Sequence, residues 1–336
     1  MAKPYMDDFT VETLTESINA IPEVPSVLSP YFSKEGVPTT VVSLDMEKES
    51  LRLVPNTKRG YDGPVVADGE KRQTITLECA HLLQTDFLHP EEVQNVRAFG
   101  SQSELDSMAS RLAKKLARMR RNLDATKEYH RLGAIRGKIL DADGRTVLRD
   151  LYKDFGVEAP AEVTVNWPAD STGARNPLES IFRDVVYQVE DELGGVGYDG
   201  ITAVVGREFW SYLTSNPFMR EAFNLWTGRQ AAFGELYRTA PFNYGGINWV
   251  LYSKTIGGNH LVESDAAYVF PYGNDLLKEY YAPADYNETE NTEGQPYYAR
   301  MEPRSMNKGY KLESQSNPLM LHMFPTSLIT LRGVAA

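Results

Sequence analysis

Residues 38–83 read PTTVVSLDMEKESLRLVPNTKRGYDGPVVADGEKRQTITLECAHLL, two β-rich arms (39–54 and 65–83) around a polar, basic tip at residues 55–64. A two-stranded ribbon buries too little apolar surface to be stable alone in water. Its open edges would pair with other chains unless a partner covers them. We therefore expect this hairpin to have no core of its own. A neighbouring copy of the chain would cover it, so its role lies in assembly rather than in chemistry.

The composition places the chain among folded, acidic proteins. Its 336 residues are 42% hydrophobic, enough for one large or two ordinary domains. The net charge of −11 argues against a nucleic-acid binder held by counterion release, so any contact with DNA is expected to be weak. The single cysteine, Cys79, excludes an intrachain disulfide framework and is expected to be a half-buried structural thiol. No apolar run reaches the ~18 residues of a membrane span, and no secretion signal opens the chain.

The first 37 residues predict an extended arm. Pro22, Pro25 and Pro30 interrupt them, and residues before proline favour extended geometry. One short helix is predicted over residues 10–20, with Thr10 as its cap. We expect the arm to tie one body to another.

The strongest helix signal covers residues 104–132. It opens with the capping-box pattern Ser101-Gln102-Ser103-Glu104, and Gly133 is expected to end it. Its length would be about 40 Å. Apolar residues recur at steps of three and four, at Leu105, Met108, Ala109, Leu112, Leu116, Met119 and Leu123. The opposite face is basic, with Arg111, Lys114, Lys115, Arg118 and Arg121. This face fits either plain solvation or a weak contact with DNA.

The remaining chain predicts a mixture of helices and strands. A hairpin is expected over 134–140 and 145–151 through the turn Asp143-Gly144, followed by a loop and a helix that opens at Asn176-Pro177 and stops at Gly194-Gly195. Further elements are predicted at 201–205, 208–213, 217–226, 247–252, 267–271, 297–303, 310–313 and 319–331, the last broken at Pro325.

A search for catalytic or ligand-binding motifs assigns no catalytic, cofactor-binding or metal-binding residue. Residues 195–200 spell a dinucleotide fingerprint but follow a helix and precede a strand, the reverse of the context that binds pyrophosphate, so a glycine-rich helix exit explains them. The five histidines, at positions 81, 89, 130, 260 and 322, show no metal-ligand spacing. Paired carboxylates are too common in an acidic chain to assign an acid/base couple.

The order of these parts resembles the major capsid protein of tailed bacteriophages, in particular the lambda-type family called phage major capsid protein E. The likeness rests on Leu53-Val54-Pro55 with Arg59-Gly60, on the helix over 104–132, and on Asn317-Pro318-Leu319-Met320-Leu321 with residues 328–333. It covers nearly the whole chain. The resemblance implies an α+β tailed-phage major capsid protein fold of the Hong Kong 97 phage type.

The resemblance also implies a division of the chain into shell-building parts. These are an N-terminal arm (1–37), an extended loop (38–84), a peripheral domain with its spine helix (85–173 and 104–132), an axial domain (174–270), peripheral return strands (271–318) and C-terminal strands that return to the axial domain (319–336). Some such capsids carry a lysine-to-asparagine crosslink between subunits. Lys48, Lys58 and Lys71 are candidates only by their location in the loop.

The implied function is that of a non-enzymatic subunit of an icosahedral shell. Hexamers and pentamers of one chain would enclose double-stranded DNA, with scaffolding, portal and decoration proteins as further partners, no membrane, and assembly in the host cytoplasm into the virion capsid. A separate scaffold is expected, since no long scaffolding segment precedes the arm. The alternatives are an encapsulin-like nanocompartment around a cargo enzyme and a soluble α/β enzyme with an acidic pocket. Neighbouring genes for terminase or portal, rather than for a cargo enzyme, would favour the capsid.

Overall fold

The protein, seen in a computed structural model, is described over residues 10–46, 73–92, 108–167, 176–233, 241–256 and 259–334. The α-helices are α1 Val11–Ala20, α2 Met108–Ile135, α3 Leu151–Asp154, α4 Pro177–Leu193, α5 Arg207–Ser215 and α6 Pro217–Phe233. The first nine strands are β1 Ser33–Gly36, β2 Val41–Met46, β3 Gln73–Glu78, β4 Leu82–Leu88, β5 Lys138–Leu140, β6 Val147–Asp150, β7 Val163–Asn166, β8 Gly200–Val205 and β9 Phe242–Tyr244. The other nine are β10 Ile247–Leu251, β11 Thr255–Ile256, β12 Asn259–His260, β13 Ala266–Tyr272, β14 Leu277–Tyr281, β15 Tyr298–Pro303, β16 Tyr310–Ser316, β17 Pro318–His322 and β18 Ile329–Val334. This mixture confirms the predicted α+β class.

Two helices begin where the sequence predicts them. The Thr10 side chain accepts a hydrogen bond from the Thr13 amide at the start of α1 (3.2 Å). At the start of α4, Asn176 Oδ1 accepts one from the Leu178 amide (3.1 Å). Each cap satisfies an amide that has no partner within its helix. None of the helices in the described ranges has the length and hydropathy that a bilayer crossing requires.

A six-stranded sheet lies between two apolar cores. Its order is β7-β18-β13-β8-β10-β9, with β8 parallel to β10 and antiparallel to β13. Ile201, Ala203 and Val205 of β8 belong to one core, and Val204 belongs to the other. The strand is therefore buried on both faces, which explains its unbroken apolar sequence. Aromatic rings fill the core beneath α4 and α5, where the Phe182 and Trp249 ring centroids are 4.7 Å apart.

The long helix α2 and the short helix α1 pack on a separate three-stranded sheet. That sheet has the order β15-β16-β4, so β15 and β4 are its edges among the described strands. The buried contacts come from Leu14 and Ile18 of α1, Leu112, Leu116, Met119 and Leu123 of α2, and Leu88, Ala299, Met301 and Leu312 of the sheet. The predicted apolar stripe of the long helix thus faces a sheet.

The described part of the N-terminal arm packs on its own molecule. Strand β1 pairs in parallel with β14, which pairs antiparallel with β17. Leu28 and Phe32 of the arm lie in the same core as Leu132 of α2 and Leu277 of β14. Within the chain, the arm therefore links α1 to the sheet that contains β14.

The base of the extended hairpin is an antiparallel ribbon, as predicted, in which Val41 pairs with Glu78 and Met46 with Gln73. The ribbon depends on other elements for its core, as expected, but the expectation that a neighbouring copy covers it is wrong for this base, which packs on its own chain. Alternate residues of the two strands, Val42, Leu44, Ile75 and Leu77, are buried in the core that also contains Leu132 and Leu151. Residues 47–72, with the tip and the candidate lysines Lys48, Lys58 and Lys71, lie outside the described residues.

The structure differs from the sequence expectation at the second ribbon arm, at strand β7 and at the end of α2. The second ribbon arm ends at Glu78 rather than Leu83, because Leu82 already begins β4, which pairs with β16. Strand β7, which pairs in parallel with β18, was expected to be loop. The capping box at residues 101–104 lies outside the described ranges.

The third difference is the end of α2, which runs past Gly133 to Ile135. The chain turns instead at Gly137, where φ is +75°. Gly133 serves close packing, since a Cβ there would lie 2.8 Å from Ile139 Cα. The predicted hairpin accordingly starts at Lys138 rather than at residue 134, with Asp143-Gly144 in its turn and Gly144 at φ +67°.

Candidate functional site: a buried ionic junction

The most unusual feature of the described chain is a group of buried charges where α2 crosses β14. Arg131 of α2 donates two hydrogen bonds to Glu279 of β14, from Nε to Oε2 (3.0 Å) and from Nη2 to Oε1 (3.1 Å). Lys127 Nζ lies 3.3 Å from Glu279 Oε1. The three side chains are at most 1% exposed. Lys127 and Arg131 are four residues apart on the helix, so both reach the same carboxylate. We call these residues and their buried partners the ionic junction.

Two tyrosines complete the surroundings of Lys127. Its ammonium donates to Tyr281 Oη (2.6 Å) and to Tyr297 Oη (2.9 Å). Tyr281 in turn donates to Glu279. With Glu279 itself, these contacts give each of the three ammonium protons an acceptor. The charge is therefore compensated and hydrogen-bonded, as a buried charge must be.

Carboxylates on α2 hold the N-terminal arm at the junction. Glu128 accepts hydrogen bonds from the Ser26 hydroxyl and from the Val27 amide (3.2 Å). Arg131 Nη2 lies 3.3 Å from Glu23 Oε1 on the arm. Tyr252, which follows strand β10, donates to Glu128 Oε1 (3.1 Å). The junction thus joins the arm, the long helix, β14 and one end of the six-stranded sheet.

The electrostatics of the junction favour charged side chains on both sides. Burial alone would raise the pKa of Glu279, but the charges of Lys127 and Arg131 hold it below its usual value. Burial lowers the pKa of Lys127 to about 8, against the attraction of Glu279. Burial would lower the pKa of Arg131, but Glu279 raises it above its ordinary value. Lys127, Arg131 and Glu279 are therefore all charged at neutral pH. Their contacts hold the four elements in one packing arrangement.

The residues that the sequence search examined do not come together into a reactive site. Residues 194–200 connect α4 to β8, and the glycines at the helix exit have φ of +60° and +98°. Burial raises the pKa of the half-buried Cys79 thiol to about 11, which leaves it unreactive. Over the described ranges, no group of three or more histidine, cysteine, aspartate or glutamate side chains is placed to hold a metal ion.

The basic face of α2 is partly neutralised within the chain. Lys115 Nζ lies 2.9 Å from Glu92 Oε2, and Arg118 Nη2 lies 2.5 Å from Asp86 Oδ2. Asp86 is on β4 and Glu92 follows it, so these pairs hold the helix against its sheet. These pairs are compatible both with plain solvation of the basic face and with a weak contact to DNA, because Arg118 remains largely exposed.

Sequence reasoning missed the junction because charged residues in a helix are usually assigned to solvent. One signal was present. The stripe that reaches Leu123 continues at steps of four through Lys127 and Arg131, beside Asp124 and Glu128, and the four charges alternate in sign along the helix. Such a continuation indicates buried pairs when it is followed by more buried apolar residues, here Leu132 and Ile135.

The whole chain is similar to known phage proteins. The family model described as phage major capsid protein E matches residues 10–332. The major capsid protein of Salmonella phage Felix O1 (isolate Felix O1-VT1) is 27% identical over 366 aligned positions, which cover 97% of each chain. That of Pseudomonas phage KPP10 is 28% identical over 355 positions, covering 98% of each chain.

The fold is also that of solved capsid proteins. The crystal structure of the putative capsid protein of a prophage of E. coli CFT073 superposes with a TM-score of 0.58 at 15% identity, covering 96% of this chain and 99% of that one. At this identity the likeness concerns the fold alone, and it agrees with the Hong Kong 97 phage-type fold expected from the sequence. The family match confirms the resemblance found in the sequence: the chain belongs to the phage major capsid protein E family.

Proposed function

We propose that this chain is the shell subunit of a tailed-phage head, whose copies form the hexamers and pentamers of an icosahedral shell around a double-stranded DNA genome. The observation that carries the proposal is the family match over residues 10–332. It spans nearly the entire chain, so the likeness concerns the whole subunit rather than one shared module.

The parts of the chain are assigned accordingly. Residues 1–37 are the arm, 38–84 the extended loop, 85–173 and 271–318 the peripheral domain, and 174–270 with 319–336 the axial domain. The ionic junction would hold these parts together, because it joins the arm and the long helix to the end of the six-stranded sheet. A subunit fixed at this point presents its loops to neighbours in a constant geometry. A closed shell then multiplies individually modest contacts.

The further partners follow from the same role. Scaffolding, portal and decoration proteins would contact the shell, and the subunit itself would have no catalytic activity. The net charge of −11 favours only a weak, non-specific contact with packaged DNA, with the exposed Arg118 and Arg121 of α2 as its candidates. Assembly would take place in the host cytoplasm before the shell becomes part of the virion.

Microscopy of the purified chain tests the proposal. Size-exclusion chromatography with light scattering, followed by negative-stain imaging with a co-expressed scaffold where needed, should show hexamers, tubes or shells. A strictly monodisperse monomer under all these conditions would contradict it. The encapsulin-like alternative has less support, and particles that consistently copurify with one enzyme instead of a portal would favour it.

A further inference from the structure

The turn between β15 and β16 presents an apolar side chain to solvent in an unfavourable backbone conformation. Met306 is 85% exposed, and its φ is +61°. Asn307 follows at φ +55°. Non-glycine residues rarely adopt such angles unless the surrounding structure holds them there. Hydrogen bonds from the Arg304 amide to Gly309 O and from the Asn307 amide to Arg304 O, both 3.0 Å, hold this turn. We call residues 304–309 the hairpin tip.

The hairpin tip is positively charged. It contains Arg304 and Lys308 and no acidic residue. Neither side chain forms an ion pair with any described residue; the Arg304 guanidinium instead lies over the ring of Phe87, 4.9 Å from its centroid. Phe87 is itself 40% exposed. The tip and its neighbour therefore combine unpaired cations with exposed apolar surface, a combination typical of contact sites.

A groove of opposite charge lies along the outer edge of the same sheet. It has a volume of about 700 Å³ and runs between β15, the first turn of α1 and the segment 288–295. Its floor is apolar, with the accessible Val11 and Pro303 beside the almost fully buried Tyr298 and Met301. Four glutamates line it against one arginine. We call it the acidic groove.

Two of the four glutamates lack a partner for their charge. Arg300 pairs with Glu288 (3.1 Å) and with Glu302 (3.0 Å). Glu12 and Glu293 form no ion pair with any described residue. The groove therefore keeps an uncompensated negative charge above an apolar floor.

The tip does not neutralise the groove of its own molecule. Strands β15 and β16 remain paired up to Pro303 and Tyr310, which fixes the direction of the turn that follows. Pro303 lines the groove and the next residue belongs to the tip, yet Arg304 and Lys308 form no ion pair with any of the four groove glutamates. The hairpin tip is basic and projects from the sheet, whereas the groove is acidic and concave. The two surfaces are therefore complementary in charge and in shape.

We propose that the hairpin tip of one copy of this chain docks in the acidic groove of a second copy. Arg304 and Lys308 would pair with Glu12 and Glu293, and Met306 would lie on the apolar floor. This inference rests on the proposed function, since it names one contact of the shell. Because the two surfaces differ, the contact is heterologous and extends around a ring instead of stopping at a dimer.

A disulfide trap tests this contact directly. In a Cys79→Ser background, Met306→Cys is combined with Thr292→Cys, which lies on the groove, and assembled particles are treated with a mild thiol oxidant. Denaturing electrophoresis without reductant should show a ladder of linked chains for the double variant and none for either single variant, since a disulfide needs Cα atoms within about 7 Å.

The outcomes separate the contact from the function. Particles that assemble normally without any ladder would overturn the contact and leave the shell function standing. A link confined to single chains would likewise overturn it, because the tip would then fill its own groove. If the unaltered chain forms no assembly at all, the proposed function itself fails.

Charge reversal gives an independent test. Arg304→Glu with Lys308→Glu should lower the assembled fraction at least tenfold, as should Glu12→Lys with Glu293→Lys, and the four changes together should restore assembly. Arg145→Glu with Arg220→Glu is the matched control at two other exposed cations that form no ion pair with any described residue. Circular dichroism establishes that each variant is folded. Folded variants that assemble like the unaltered chain, or a fourfold variant that is not restored, would contradict the pairing.

Discussion

Charges gather at two places in this molecule, and they are used in opposite ways. At the ionic junction, Lys127, Arg131 and Glu279 are buried and paired within one chain. At the hairpin tip and the acidic groove, Arg304, Lys308, Glu12 and Glu293 are exposed and have no partner of opposite charge among the described residues. The first arrangement fixes the subunit, and the second leaves charge available for a neighbour. The difference shows which parts of the chain belong to its own stability and which to assembly.

The largest effect is expected from opening the junction. Glu279→Gln leaves Lys127 and Arg131 buried without their shared carboxylate, which should lower the free energy of unfolding by about 3–5 kcal/mol. Urea unfolding of the unassembled subunit, followed by circular dichroism, measures the loss. Lys311→Gln, which removes an exposed pair with Glu313 at 3.1 Å, is the control and should cost less than about 1 kcal/mol. Equal losses in both variants would erase the distinction between the two kinds of charge.

Mild acid should lower the free energy of unfolding through the buried histidine His130. Burial lowers the pKa of His130 to about 4, below its ordinary value of 6.5. Between these values the unfolded chain binds a proton that the folded chain does not, so the free energy of unfolding falls as pH decreases from 6.5 to 4. The contribution is up to roughly 3 kcal/mol, since one pKa unit corresponds to about 1.4 kcal/mol.

His130→Gln should reduce the pH dependence of stability over this range by about half, since burial also lowers the pKa of His322 to about 4; urea unfolding at a series of pH values measures the change. His260→Gln is the comparison, because the exposed His260 ring lacks the burial that produces the effect. An unchanged slope for His130→Gln would show that the buried ring does not titrate as described. Below pH 4.5, protonation of Glu279 should remove further stability, because the pKa of this group is lowered in the folded chain.

Glycine-to-alanine changes in two helices separate the effect of close packing, at Gly133 of α2, from that of helix propensity, at Gly228 of α6. Gly133→Ala should destabilise by about 1–3 kcal/mol, because the new Cβ would lie 2.8 Å from Ile139 Cα and force the hairpin away. Gly228→Ala in α6 meets nothing within 4 Å and should stabilise by up to about 1 kcal/mol. Thermal unfolding of both variants measures the difference. A stable Gly133→Ala protein would mean that the hairpin can shift without cost.

The smallest effect is expected on the basic face of α2. Arg118→Gln removes a pair with Asp86 in which the arginine is 61% exposed, so the loss should be about 0.2–1 kcal/mol and should shrink at high salt. Urea unfolding at two salt concentrations measures it. A loss above about 2 kcal/mol would contradict this, because an exposed ion pair would then contribute as much to stability as a buried one.

Local patterns in the sequence predicted most elements but not their long-range contacts. The caps at Thr10 and Asn176 and the turn at Asp143-Gly144 were predictable because each depends on neighbouring residues. The junction was not, because Glu279 lies 148 residues from Arg131 along the chain. The same dependence on distant residues applies to the base of the extended hairpin. The β-rich pattern that contains Val42, Leu44, Ile75 and Leu77 is visible in the sequence, but the core in which these residues are buried is not.

A cryo-electron-microscopy map of the assembled particle would show whether the junction fixes the subunit while the tip and the groove join it to the next. We expect icosahedral shells in which Met306 of each subunit lies in the acidic groove of a neighbour, against Val11 and Pro303, with Lys127, Arg131 and Glu279 paired inside every subunit. Shells in which the groove faces solvent or holds residues of its own chain, or in which the junction is broken, would contradict it.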